Sequence, residues 1–234
     1  MGERMIFQSF FKALAQLSDP RFRRVLWMGI GLTLALLIGS YAGLLWLIEW
    51  LTGESTELPI VGEVTWVGDL LSFGSLFFMI VLSVFLMVPV ASAITSMFLD
   101  EVAQAVEDRH YPHLPQADKV PFSDALRDTL NFLGVLIGAN LLAILLYVMM
   151  PPASLFIFWG LNGFLLGREY FTLAAIRRIG RAGAKDLRAQ HRGTIWMAGI
   201  LMAMPLSVPL VNLLIPILGA ATFTHIFHAL NARK

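Results

Sequence analysis

Apolar residues run without a charge from Val25 to Ile48 and again from Leu70 to Leu99. A bilayer core about 30 Å thick is crossed by about 20 helical residues at roughly 1.5 Å each, so both runs are long enough to span. They predict two long helices, 21–50 and 68–110, the second kinked at Pro89. Two later apolar regions are interrupted. The first, 124–176, is broken by Met149-Met150-Pro151-Pro152, and its second apolar arm, Ala153–Gly167, is only about 22 Å long as a helix. The second, 193–231, is broken by Pro205, Pro209 and Pro216, which leaves the arms Thr194–Met204 and Ile217–Leu230. Each region reads as a helical hairpin that enters the bilayer and returns to the same side. Irregular backbone at membrane depth is tolerated only against protein or water, and paired, proline-interrupted segments point to a transport path. Tightly turned ordinary spans are the plainer alternative.

Three flanking segments carry polar patterns. In 5–18, Ile6, Phe7, Phe10, Phe11, Leu14 and Leu17 share one helical face opposite Gln8, Lys12 and Gln16, the pattern of a helix lying in the membrane interface. Past Leu99, residues Phe98, Val102, Ala105 and Val106 share a face; Asp100, Glu101, Gln104 and Asp108 lie opposite. This predicts a helical extension that ends before Pro112. The segment 177–192 carries Arg177, Arg178, Arg181, Lys185, Arg188 and Arg192 and reads as a helix facing solvent or lipid headgroups. The fold class that follows is an all-α integral membrane protein forming a single membrane domain over 1–234: two long transmembrane helices, two partly penetrating hairpins and an interfacial N-terminal helix.

Composition agrees. The chain of 234 residues is 57% hydrophobic and 14% charged, against roughly 45–50% and about 25% in a soluble domain. A net charge of +1 supplies no global field for nucleic acid. The absence of cysteine excludes disulfides and thiolate chemistry. The run from Val25 exceeds the apolar core of a cleaved signal, about 7–15 residues, and reads as a retained anchor. Glu49–Asp69 holds acids but no Lys or Arg, whereas the basic residues lie at the N-terminus, in 100–128, in 168–192 and at the C-terminus. The positive-inside rule then places both termini and both hairpin openings in the cytoplasm.

The candidate chemistry is concentrated at "SDPRFRRVLW". Ser18 or Asp19 can cap a helix whose first turn holds Pro20. Free N–H groups at such a mouth attract anions, and Arg23 and Arg24 add planar donors suited to a tetrahedral oxyanion. Topological anchoring by snorkelling arginines accounts for the same residues. Glu101 can pair with Arg23 or Arg24 and compete with an anion there; it can equally be an ordinary surface acid. Arg168 and Glu169 can pair at the membrane edge. Asn131, Asn140, Asn162 and Asn212 can line a polar path, with Asn162 and Asn212 as candidates, or bond between helices. Gly39/Gly43, Gly134/Gly138 and Gly163/Gly167 permit close helix contacts within or between subunits. His110/His113 and His225/His228 lack a metal-site pattern, and the chain has no nucleotide-binding or serine-hydrolase motif. No metal and no cofactor is expected.

The stretches "LSDPRFRRVLW", "SMFLDEVAQAVEDRHYPHLP", "LNGFLLGREYF" and "PLSVPLVNLLIPILGAATFTHIFHAL" together resemble the CysZ/etoposide-induced-protein superfamily, over about Phe11 to Leu230. The resemblance implies a sulfate permease of the bacterial inner membrane that supplies cysteine synthesis. It also implies two long spans with two half-penetrating hairpins, and homo-oligomers. The family's sulfate-binding arginine pair matches Arg23 and Arg24. Its G-L-L-A-E motif falls on "MFLDE", which makes Glu101 the motif acid, with Met97 in place of Gly and Asp100 in place of Ala.

The expected function is therefore uptake of sulfate or a similar oxyanion through a homo-oligomer in contact with membrane lipid. The alternative is a non-transporting, membrane-shaping or scaffold protein of the same superfamily. An intramembrane enzyme would need a connected triad or metal motif that the titratable residues do not make.

Overall fold

The computed structural model describes residues 2–52, 57–58, 62–63, 99–117, 122–208 and 211–232. Most of the second long helix, with Pro89 and the first part of "MFLDE", lies outside the described residues, as do the side chains of Asn131 and Asn212. The described chain is helical apart from short turns, the stretch 111–117 and a minimal antiparallel ladder of β1 (Glu57–Leu58) and β2 (Gly62–Glu63), in which Glu57 faces Glu63 and Leu58 faces Gly62. The helices are α1 (Gly2–Ala15), α2 (Pro20–Thr52), α3 (99–110), α4 (Phe122–Met149), α5 (Ser154–Gln190), α6 (Arg192–Ala203) and α7 (Ile215–Asn231). The chain divides into two compact units, Met1–Trp27 with Ala93–Lys234, and Met28–Ser92.

In the first unit α7 is the buried element. Its residues Ile217, Leu218, Ala220, Ala221, Phe223, Ile226 and Phe227 are shielded on nearly every side, as expected of a helix that is apolar all round. The N-terminal α1 and the long α5 pack against it. Tyr170 and Phe171 of α5 set their rings 6.1 and 6.2 Å from Phe223 and Phe227. Leu99 and Ala103 of α3 meet Tyr170, Ala174, Ala220 and Thr224 along the seam of α3, α5 and α7.

The apolar face of α1 divides in two. Met5, Ile6 and Ala13 are buried, whereas Phe7, Leu14 and the 60% exposed Phe11 point outward. One edge of the stripe therefore docks on protein and the other stays open. From Phe132 onward helix α4 is almost wholly outward-facing. Its window Phe132–Met149, of mean hydropathy 2.4 and only 6% buried, is long and apolar enough to cross a membrane.

The proline clusters break the chain where the sequence pattern predicts. Pro151–Ala153 forms a 3-10 turn between α4 and α5, and the turns Met204–Ser207 and Val211–Leu214 separate α6 from α7. The lengths differ from expectation in the first region. Its second arm does not stop at Gly167. The helix continues through Arg168 and Glu169 to Ile179, about 39 Å at 1.5 Å per residue, because backbone hydrogen bonding persists where side chains turn polar. Gly180, with φ 67°, ends that stretch in a conformation open to glycine. In the second region α6 and α7 are about 18 and 25 Å long.

Small residues set the closest helix approach. A Cβ on Gly163 would come within 2.6 Å of the Ile200 side chain, one on Gly167 within 2.6 Å of the Ile195 carbonyl oxygen, and one on Gly199 would overlap the Gly163 carbonyl. The Gly163/Gly167 pair thus serves contact within the chain, between α5 and α6. A Cβ on Gly134 or Gly138 of α4 would meet nothing within 4 Å among the described residues. Gly199→Ala is expected to destabilise by about 1–3 kcal/mol through overpacking, and Gly138→Ala, which meets no described residue of the same chain, to cost less. Thermal unfolding midpoints of the two variants in detergent check the contrast.

Candidate functional site

Asp19 begins α2. Its Oδ1 accepts the Arg21 backbone N–H at 2.9 Å, Pro20 has no N–H, and the Arg23 N–H donates to the Asp19 carbonyl at 3.1 Å. One of the donors expected at this mouth, the Arg21 N–H, is thus taken by the protein's own capping carboxylate. Gln16, buried, donates from Nε2 to Asp19 Oδ2 at 3.2 Å and to the Ala105 carbonyl at 3.1 Å. That amide ties the start of α2 to α3.

The three arginines then separate. Arg21 Nη1 donates to Asp108 Oδ2 at 2.5 Å. Arg24 Nη1 stands 4.0 Å from Glu101 Oε1, with the two side chains 71% and 36% exposed. Arg23 is exposed, and no ion pair joins its side chain to another among the described residues. The spacing is helical on both sides: Arg21 and Arg24 are one turn apart on α2, and Glu101 and Asp108 two turns apart on α3. The hydrogen bond from Arg21, then that from Gln104, holds the Asp108 carboxyl below its ordinary range, and the same contact with Asp108 raises the Arg21 guanidinium.

Behind this exposed layer lies a buried one. Glu107 is only 2% exposed. Arg178 donates to it through two nitrogens, Nε to Oε1 at 3.0 Å and Nη2 to Oε2 at 2.7 Å, and Arg177 Nη1 lies 3.5 Å from Oε2. His228 Nε2 is 2.9 Å from Oε1. Arg178 Nη1 also donates to the Pro115 carbonyl at 2.6 Å, and Arg177 Nε lies 3.5 Å from Asp100 Oδ1. Tyr111 stacks on His228 with centroids 4.2 Å apart, and its hydroxyl is 3.1 Å from His225 Nδ1. Burial alone would raise the Glu107 carboxyl; His228, Arg178 and Arg177 outweigh it and bring it down to about 2. Gln104 joins the layers: Nε2 donates to Asp108 Oδ1 at 2.8 Å while Oε1 accepts from Arg177 Nη2 at 2.9 Å.

The sequence pattern missed this buried layer. Arg177 and Arg178 do not face solvent or headgroups; they turn inward because Glu107 needs cations. The missed signal was Glu107 itself, a carboxylate one helical turn after the buried Ala103 and next in sequence to the buried Val106. Two of the asparagines bond within their own helices. Asn140 and Asn162 donate to the carbonyls of Leu136 and Phe158, four residues back in their own helices, at 2.8 and 2.9 Å. Neither of these bonds joins two helices. Asn212 lies in the turn Val211–Leu214, and its side chain is outside the described residues. Arg168 and Glu169 form no ion pair with each other among the described residues.

Paired, proline-interrupted apolar segments of this kind recur among membrane transporters. The family model of sulfate transporter CysZ/etoposide-induced protein 2.4 matches residues 9–216, and the chain belongs to that family. A comparison with curated proteins returned no match. The match takes in the whole of α3 and α5 but ends within the first turn of α7, so His225 and His228 lie beyond it.

Glu107→Gln is expected to destabilise by about 3–5 kcal/mol, since it leaves the largely buried Arg178 without its counter-charge and Arg177 with Asp100 alone. The pH dependence has a definite sign. The Glu107 carboxyl lies lower folded than unfolded, so its stabilisation is complete above about 4.5 and is lost as pH falls toward about 2. Thermal midpoints between pH 7 and pH 3 should fall in the wild type and fall less in the variant.

Proposed function

We propose that this chain carries sulfate across the bacterial inner membrane for cysteine synthesis. One observation carries this reading within the family: Arg24 is exposed and held only loosely by Glu101, beside an exposed Arg23. A loosely paired guanidinium is a site that a doubly charged oxyanion can take over. Arg21, Arg23 and Arg24 face Asp19, Glu101 and Asp108 nearby, so the formal charge of the mouth is zero. Binding of an anion therefore involves displacing a carboxylate. Glu101 is the weaker-held candidate, at 4.0 Å against 2.5 Å for Asp108, and acts as the competing acid. An exposed pair contributes only about 0–1 kcal/mol, so a tetrahedral dianion bonded to two guanidinium groups can outcompete it.

In the proposed topology α2 and the helix over 68–110 span the bilayer, the regions 124–176 and 193–231 enter it as hairpins, and α1 rests in the interface with Phe7, Phe11 and Leu14 toward lipid. At 12 residues, α6 is too short to cross alone. The distribution of basic residues puts both termini and the Arg23/Arg24 mouth in the cytoplasm. On that topology the arginines receive an anion that has crossed. Asn162 and Asn212 are kept as path-lining amides. The open Gly134/Gly138 face of α4 supports a homo-oligomer. The outward edge of α1 favours one second reading, a scaffold that shapes the membrane without transport.

Flux of labelled sulfate into proteoliposomes tests the proposal. Wild-type protein is expected to exceed empty liposomes, with selenate competing and chloride not. Arg23→Ala/Arg24→Ala should raise the half-saturating concentration by about tenfold or more, from the loss of charge-assisted hydrogen bonds. Wild-type flux equal to that of empty liposomes would leave the scaffold reading standing. Glu101→Gln should lower the half-saturating concentration, by up to about fivefold, because an exposed competing pair is removed.

A further inference from the structure

Three arginines crowd the mouth, yet only two are left for an anion, and the geometry points to Gln104 as the positioning residue that withholds the third. This inference rests on the reading of Arg23 and Arg24 as an anion seat, and it concerns how that seat is selected.

Arg21 and Asp108 are 51% and 44% exposed. An exposed ion pair on its own is a weak tether, loosened by side-chain entropy and salt. This one is anchored from behind. Gln104, one helical turn before Asp108, donates from its amide nitrogen to Asp108 Oδ1, which leaves Oδ2 directed at Arg21. The amide of Gln104 is itself held, because its oxygen accepts from the buried Arg177. Arg177 is in turn fixed between Asp100, at 3.5 Å, and Glu107, at 3.5 Å. From Arg21 through Asp108 and Gln104 to Arg177 and Glu107 each partner is more buried than the last, so the order of the buried layer is passed outward to an exposed pair. Arg24 has no such support among the described residues: there Glu101 shows no second bond of this kind, and the pair is open at 4.0 Å. An amide, with one donor and one acceptor face, is the side chain that can join a carboxylate to a guanidinium without adding charge. The result divides like charges by task. Arg21 is committed to α3 and keeps the two helices in register, while Arg23 and Arg24 remain available.

Arginine-selective dicarbonyl labelling of the purified full chain in detergent, read by mass spectrometry at each site, tests this without requiring sulfate. In wild type Arg21 should label more slowly than Arg23 and Arg24. In Gln104→Leu, and in Gln104→Met as a second variant of similar length, Arg21 should label about threefold or more faster and approach Arg23, as expected when one hydrogen bond is lost. Arg177 and Arg178 should stay protected in both variants. Wild-type Arg21 labelling as fast as Arg23, or an Arg21 rate unchanged in either variant that keeps Arg177 protected, overturns the proposal. Labelling of Arg177 in both variants also overturns it, since Gln104 would then hold the fold and not position Arg21. Adding sodium sulfate gives a separate readout. Protection of Arg23 and Arg24 supports the anion seat, and its absence removes that seat while leaving the Arg21 result to stand or fall alone.

Discussion

The buried carboxylate of Glu107 organises the polar half of this molecule. A single acid at 2% exposure would be intolerable without cations. It gathers two adjacent guanidinium groups from α5 and an imidazole from α7. Three elements distant in the chain thereby meet at one point. Adjacent arginines point about 100° apart on a helix, which lets Arg178 take the carboxylate in a two-toothed grip while Arg177 reaches across to Asp100 and Gln104. The apolar seam of α3, α5 and α7 supplies most of the burial, but apolar contacts are non-directional. The ion cluster fixes which faces meet.

The exposed charges at the start of α2 depend on that buried layer. Gln16 ties the cap of α2 to the backbone of α3, and Gln104 ties Asp108 to Arg177. Between these two amides the arginines are sorted by the depth of their partners. Arg21 meets a carboxylate that is braced from inside; Arg24 meets one that is not. The Arg21 N–H at the start of α2 is meanwhile taken by the Asp19 carboxylate.

At the apolar end, glycine replaces charge as the constraint. Gly163, Gly167 and Gly199 allow α5 and α6 to approach closely, with the Gly199 backbone against the Gly163 carbonyl. Trp196 Nε1 donates to the Gly160 carbonyl at 2.8 Å and Trp159 Nε1 to Ser207 Oγ at 3.2 Å. These bonds join the beginning of α5 to α6 and to the turn after it. Both proline-broken regions are therefore bound to each other at their irregular ends, where backbone groups most need partners.

Much of this architecture is legible in sequence order. Apolar runs and proline clusters determined where helices begin and break, since helix continuity depends on local backbone hydrogen bonds that proline removes. The entry at Asp19-Pro20, the helical face of Val102, Ala105 and Val106, and the crowding of Arg21, Arg23 and Arg24 are equally local. Only the tertiary structure decided which charges matter to which. It carried α5 past Gly167, turned Arg177 and Arg178 inward, gave His228 to Glu107, split the stripe of α1 between protein and open surface, and returned the amides of Asn140 and Asn162 to their own helices. The physical reason is range: periodicity reports neighbours three or four residues away, whereas the partner of a buried charge lies 71 or 121 residues along the chain and is selected only when packing brings the two together.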